Sequence, residues 1–158
     1  GKSRMPVAIM AMGIVFNLLN GMMQAGGLFY FAPEGLYADG WAYLLKPHAL
    51  LGVILFFAGM FINLHSDYVI RHLRKPGDTK HYLPGKGLYR YVTSANYFGE
   101  LVEWTGFAIL TASPAAWVFV WWTFANLVPR ADAIHCHYRE EFGDEAVGKR
   151  KRIIPFLY

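Results

Sequence analysis

Residues 49–64 read ALLGVILFFAGMFINL, sixteen positions without a charge, and they run straight into HSDYVIRHLRK at 65–75. With its flanks, such a run is long enough to cross a hydrocarbon layer of about 30 Å as a helix. Comparable runs lie on either side of it. Met5 to Leu19 carries no charge, and Leu101 to Val128 carries one, Glu103. Ser113-Pro114 interrupts the latter. Because proline breaks a helix interior, this dipeptide reads as a tight turn between two spans. The expectation is therefore an all-α membrane protein with four transmembrane helices, at about 6–31, 48–66, 96–111 and 114–129. A loop at 67–95 and a tail at 130–158 with an interfacial helix complete a single membrane domain.

Charge placement sets the orientation. Only 16% of the residues are charged, against roughly 25% in soluble domains. Lys2 and Arg4 precede the first span; Arg71, Arg74, Lys75, Lys80, Lys86 and Arg90 lie between the second and third; Arg130, Arg139, Lys149, Arg150, Lys151 and Arg152 follow the fourth. Only Lys46 falls on the other side, so fourteen of the fifteen basic residues share one face. The positive-inside rule makes that face cytosolic. The opposite loop, 32–47, carries Glu34 and Asp39. A net charge of +4 distributed this way points to anionic lipid or a phosphate ligand, not to DNA or RNA. The single Cys136 excludes an intrachain disulfide and a thiolate metal site. Gly1-Lys2-Ser3-Arg4 lacks an initiator methionine and a signal-peptide pattern, so a longer chain beginning upstream is expected.

Polar groups inside a bilayer are costly and mark functional sites by default. Asn63, Asp67, Arg71 and Arg74 fall at about 0°, 40°, 80° and 20° around a helix, one stripe that Pro76-Gly77 is expected to stop. Two arginines on that stripe suit a phosphate; a solvated helix end with an Asp67–Arg71 pair and snorkelling arginines is the competing reading. Asn96, Glu100 and Glu103 share a face at the start of the third span. Acids complementing a helix dipole account for Glu100 but poorly for Glu103 a turn deeper. Past the fourth span, Arg130 and Tyr138 line one side of a helix with His135 on its flank. They read either as donors to a phosphate or ribose or as ordinary groups of an interfacial helix. His135 and His137, two residues apart, point to different faces, and no HExxH or CxxC accompanies them, so no metal is expected. Asn20 and Gln24, four apart in the first span, suit a cavity lining or interhelical hydrogen bonds. Together the clusters suit a large anionic cofactor entering from the cytosolic side between helices.

Five ordered motifs carry a resemblance: Asn63-Leu-His-Ser-Asp67; Leu73-Arg74-Lys75-Pro76-Gly77; Ala95-Asn96-Tyr97-Phe98-Gly99-Glu100 with Glu103-Trp104-Thr-Gly106; Pro129-Arg130-Ala131; and Ile154-Pro155-Phe156-Leu157. The set resembles the C-terminal half of the steroid 5α-reductases (3-oxo-5α-steroid 4-dehydrogenases), in a bacterial-type or otherwise divergent form. The resemblance implies helices four to seven of a seven-helix membrane bundle, with upstream helices of the same protein as partners. The implied location is the endoplasmic reticulum membrane in a eukaryote or the inner membrane in a bacterium. It implies NADPH-dependent reduction of the Δ4 double bond of a 3-oxo-Δ4-steroid: hydride adds to the enone β-carbon while an acid polarises the carbonyl, and the enolate is protonated at the α-carbon. It also implies that Asn63, Asp67, Arg74, Asn96, Glu100, Arg130 and Tyr138 hold the cofactor, with Arg71 on the same stripe and His135 at a histidine position of the family's pattern. Trp104, Asn20 and Gln24 are expected near the substrate pocket. The carbonyl-polarising acid and its partner tyrosine belong to upstream helices, so no catalytic acid is assigned here. His81, Tyr82, Lys86 and Ile134 depart from the pattern of mammalian relatives. Alternative readings are a reductase of a non-steroid enone (an enoyl thioester or polyprenal), an isoprenylcysteine-type membrane methyltransferase using S-adenosylmethionine, and a structural or lipid-binding membrane protein.

Overall fold

The computed structural model describes residues 6–75 and 77–158. Lys2 and Arg4, expected ahead of the first span, Met5 at its edge, and Pro76, the expected helix stop, lie outside the described residues. Five α-helices follow in order: α1 (Val7–Ala25), α2 (Pro47–Arg71), α3 (Ala95–Thr111), α4 (Pro114–Phe142) and the short α5 (Asp144–Val147). A π-helical turn, Gly26–Tyr30, extends α1, and 3-10 turns occupy Gly40–Leu45 and Gly87–Arg90. Among the described residues, extended pairing is limited to one parallel bridge, Val92 to Lys151. The chain is thus all-helical, and two segments, Val7–Tyr30 and Pro47–Arg71, are long and apolar enough to cross a membrane.

Local sequence explains where the helices start. Pro47 and Pro114 each open a helix, at a position whose N–H has no intrahelical partner and whose φ is already helical. The break between α3 and α4 falls at Ala112-Ser113, just before Pro114.

Two boundaries differ from the sequence expectation. α2 stops at Arg71, so Arg74 does not continue the helical stripe but sits in the bend after it. There the His72 ring and its backbone N–H both engage the Tyr68 carbonyl, at 2.7 and 3.1 Å, closing the last turn. At the other end of the chain, the fourth span and the tail helix are one element. α4 runs through Pro129 for 29 residues, about 43 Å at 1.5 Å per residue. Pro129 removes one helical hydrogen bond, while Leu127, Ala131 and His135, spaced four apart, keep burying one continuous face.

α2 and α3 form the most intimate contact in the fold, and glycine makes it possible. Gly52 and Gly59 on α2 face Gly106 and Gly99 on antiparallel α3. Each pair is seven residues apart, so it lies on nearly one stripe of its helix. A Cβ at Gly99 would sit 2.6 Å from the Asn63 nitrogen, and one at Gly59 would strike the Glu103 backbone. Small residues that let backbones touch are the usual basis of helix association in membranes. The consequence is local: the approach brings Asn63 beside Gly99 and Glu103.

α1 is attached more lightly. Its apolar side chains stay open, Val7 at 77% and Met12 at 72% exposure. It is held at its C-terminal end by Gly27 against Ser113 and Ala115, and midway by Phe16 on Trp122 (ring centroids 5.7 Å apart). The tail closes the fold from the opposite end. The Thr93 and Ser94 amides donate to the Lys151 and Arg152 carbonyls at 2.9 and 3.0 Å, and the Lys151 amide donates to the Tyr91 carbonyl at 2.8 Å. Ile153 is fully buried with Leu101, Leu127 and Ala131. The residues leading into α3, and hence the setting of its first turn, are tied down by the C-terminal tail.

Candidate functional site

Two clefts and a polar band between them contain most of the candidate residues. The first cleft, about 450 Å³, opens where α2 ends and α4 leaves the bundle. Arg71, Arg74 and Tyr138 line it together with His81, Tyr82, His137 and Glu141. Although Arg74 is not on α2, the bend carries it back to the same cleft as Arg71. Arg71 pairs with Asp67 at 3.6 Å, the i,i+4 contact of a solvated helix end, worth only a few tenths of a kcal/mol (about 0.3–0.5) in such exposed pairs. Residues 78–82 form one wall. Asp78 accepts from the Lys80 amide at 2.9 Å and the Tyr82 hydroxyl at 2.7 Å. Those two hydrogen bonds, the Lys80 one first, hold its carboxyl below the usual range, and the second pushes the Tyr82 phenol up.

Deeper in, tyrosines take over. Tyr89 is almost fully buried and donates to the Asn96 amide oxygen at 3.4 Å. Burial, reinforced by Tyr138, Asp67 and Tyr97 nearby, raises its pKa far above the ordinary value, so it remains a neutral donor. Burial, followed by the charge of Glu141 and then Tyr97, likewise raises Tyr138. Tyr89 thus meets Asn96 on α3 directly, within the electrostatic reach of Tyr138, Asp67 and Tyr97. Asn63, one α2 turn before Asp67, is brought beside Gly99 on α3 by the glycine contact, which also touches the Glu103 backbone.

The second cleft, about 380 Å³, lies between α1 and α4. Its walls are Ile9, Met12, Phe16, Phe119, Trp122 and Leu127, with Glu100, Thr123, Asn126 and Arg130 as its polar groups. Glu100 and Arg130 face the same space from α3 and α4, an acid and a guanidinium set in an apolar surround.

Four candidates are placed elsewhere. His135 is buried, 6% exposed, with Nδ1 3.3 Å from the Thr93 hydroxyl. It ties α4 to the segment ahead of α3 and lines neither cleft. Trp104 stands behind the second cleft, edge-on to Phe119 with ring centroids 4.6 Å apart. Asn20 and Gln24 lie toward the far end of α1. Gln24 donates to Asn20 and to the Ala115 carbonyl, both at 3.3 Å, while its own amide oxygen is buried without a partner. Conversely, helical spacing and polarity alone do not single out Tyr89, Tyr97, His81 or Glu141, which the structure brings to these sites. Tyr89 and His81 come from the long loop, where no periodicity marks an inward side chain.

These features define a class: an all-helical protein with helices fit for a bilayer, a cleft with two arginines at one end and an apolar cleft lined by an acid and a guanidinium. The chain belongs to the 3-oxo-5-alpha-steroid 4-dehydrogenase family, which it matches over residues 3–158. It is 43% identical over 158 residues to the 3-oxo-5-alpha-steroid 4-dehydrogenase 1 of Macaca fascicularis, covering 100% of this chain and 58% of that protein. The Homo sapiens protein of the same name is also 43% identical over 158 residues, 100% of this chain and 59% of the relative. Steroid 5-alpha-reductase DET2 of Arabidopsis thaliana is 37% identical over 162 residues, 100% of this chain and 59% of the relative. The chain thus spans under two thirds of the length of these relatives.

Proposed function

We propose that these residues form the cofactor-binding part of a membrane-embedded NADPH-dependent reductase that reduces the Δ4 double bond of 3-oxo-Δ4-steroids. The observation that carries the reading is the convergence of Arg71, Arg74 and Tyr138 on one cleft, from two helices and a bend. Guanidinium groups suit the phosphates of a dinucleotide, which they bind through paired N–H donors; Tyr138 adds a neutral hydroxyl. The donor set fits such a cofactor along its length. Asp67 and Asn96 offer acceptors and an amide next to the tyrosines, and Glu100 with Arg130 offers an acceptor and a cation in the apolar cleft.

When bound, NADPH supplies a hydride. Everything else asked of this chain is positioning. Arg71 and Arg74 hold the anionic end. Asn63 and Asp67 on α2, with Asn96 on α3, border the middle. Glu100 would accept from the carboxamide N–H of the bound cofactor, with Arg130 lining the same cleft. The apolar walls around Glu100 exclude water, which strengthens each of these interactions. Trp104 acts from behind, by fixing Phe119. Asn20 and Gln24 hold α1 onto α4 and so set the width of the second cleft. The acid that polarises the steroid carbonyl is assigned to none of these residues.

The reading includes four membrane spans, two of them in α3 and the first part of α4. It places the chain within a seven-helix bundle in the endoplasmic reticulum or bacterial inner membrane, among lipid, with the two-arginine cleft facing the cytosol. The charge asymmetry supports this orientation, and its one exception is neutralised locally: Lys46 pairs with Asp39 at 2.7 Å. The test is NADPH consumption by membranes containing the gene's product, with progesterone, testosterone and an enoyl thioester as substrates and products identified by mass spectrometry. Steroid 5α-reduction is the expected result. Turnover of the thioester alone would overturn the substrate, and saturable S-adenosylmethionine binding with none for NADPH would overturn the class.

A further inference from the structure

The loop and α4 meet through three side chains that no step of the proposed reduction uses. His81 Nδ1 lies 2.6 Å from one Glu141 carboxylate oxygen, and His137 Nε2 lies 3.2 Å from the other. The three donor atoms all lie within 4.8 Å of one another. His137 and Glu141 are four residues apart on α4, the spacing that puts two side chains on one helix face. His81 arrives from a segment sixty residues away in sequence. No sequence motif announces this set, because one of its ligands comes from a loop that only the fold brings near.

We propose that His81, His137 and Glu141 form a binding site for a zinc-class divalent metal ion. Two imidazoles and one carboxylate make a ligand set used by zinc and by non-haem iron(II), with further positions left to water or another ligand. Around zinc at about 2.1 Å, tetrahedral ligands stand roughly 3.4 Å apart. The widest pair therefore needs to close by no more than about 1.4 Å from the limit of 4.8 Å. His81 and Glu141, now 2.6 Å apart, need to open by about 0.8 Å, and all three residues are exposed. Metal binding needs both ligating imidazole nitrogens free of protons, so a bound ion replaces the contacts that His81 and His137 now make to Glu141.

Charge is the main opposing effect, since Arg71 and Arg74 line the same cleft. Glu141 cancels one of the two positive charges, Arg71 is already paired with Asp67, and an anion at an open position offsets the remainder. A bound ion would fasten residues 78–82 to α4 beside the two arginines. The site does not depend on the cofactor reading, and its test uses no enzyme activity.

The experiment is equilibrium dialysis of the purified, tag-free, detergent-solubilised chain against ZnCl2, followed by metal analysis. Cobalt(II) absorption reports the coordination. One equivalent of zinc is expected, with visible cobalt bands of low-coordinate type. His81→Ala and Glu141→Gln are each expected to weaken binding by at least about tenfold, since even removing a group that merely orients a ligand costs 10–100-fold. His81→Cys, which restores a donor, retains it. His72→Ala, whose ring bonds the Tyr68 carbonyl instead, leaves it unchanged. Circular dichroism verifies that each variant is helical, and the near-isosteric Glu141→Gln guards against a folding explanation. Absence of stoichiometric zinc in the wild type, or equal affinity in His81→Ala and Glu141→Gln, would overturn the site.

Discussion

Replacing Gly99 by alanine tests the packing that assembles the polar face of α2 and α3. In an ordinary helix the change is favourable by about 1 kcal/mol, because glycine carries the greater conformational entropy cost. Here the new Cβ would stand 2.6 Å from the Asn63 nitrogen, 2.9 Å from the Gly59 carbonyl oxygen and 3.0 Å from the Asn63 Cα, all of them backbone atoms. Relief to a normal contact of 3.4 Å requires the helices to separate locally by about 0.8 Å. A gap of that size forfeits roughly a quarter to a half of the dispersion attraction between the atoms drawn apart, and overpacking of this kind costs about 1–3 kcal/mol. Set against the gain in helix propensity, the net expectation is a loss of about 1 kcal/mol, which for a domain of this size lowers Tm by roughly 2–4 °C. Tryptophan-fluorescence melting in detergent measures it. Gly21→Ala is the control: nothing lies within 4 Å of its Cβ, so its Tm should hold or rise. NADPH binding should also weaken in Gly99→Ala, since Asn63 and Glu103 flank the contact. A Gly99→Ala protein that melts at or above the wild-type temperature would refute the close-approach argument.

Arg74→Ala should weaken NADPH binding by about 10- to 100-fold, the loss of a hydrogen-bonded charge worth about 1.5–3 kcal/mol, measured by fluorescence titration. An unchanged Kd would remove Arg74 from the cofactor set. Ile153→Ala, at a fully buried position, should cost about 2–5 kcal/mol. It should also speed hydrogen exchange at the Thr93 and Ser94 amides, which bond to the tail; exchange that is unaltered would show that the tail does not brace α3. His135 gives a pH dependence. Burial, then Arg152 and Arg139, lowers its pKa below the ordinary 6.5. The unfolded chain therefore binds the proton more readily, and stability present above about pH 6.5 declines as pH falls through the folded-state value. Melting temperatures from pH 8 to 5 should show a steeper decline in wild type than in His135→Gln, and parallel curves would contradict the assignment.

Several features of this protein were determined by local sequence. Helical content, the starts at Pro47 and Pro114, and the asymmetry of basic residues follow from apolar runs, proline and charge, each of which acts over a few neighbours. The ordered motifs pointed to the family on which the whole-chain match agrees. Asn63, Asp67, Arg71, Asn96, Glu100 and Arg130 were legible because polar side chains in apolar surroundings stand out without knowledge of the fold. Helical spacing failed where the helix did not continue. It placed Arg74 on a stripe that stops at Arg71, and it divided α4 at a proline that the packed face of Leu127, Ala131 and His135 overrides. Only the tertiary structure decided which partners these residues meet. It turned His135 inward to Thr93, set Trp104 behind Phe119, joined His81 to Glu141 across sixty residues, and pressed α2 onto α3 through four glycines. Such contacts depend on how closely two backbones approach and where a loop returns, distances set by packing between segments far apart in sequence.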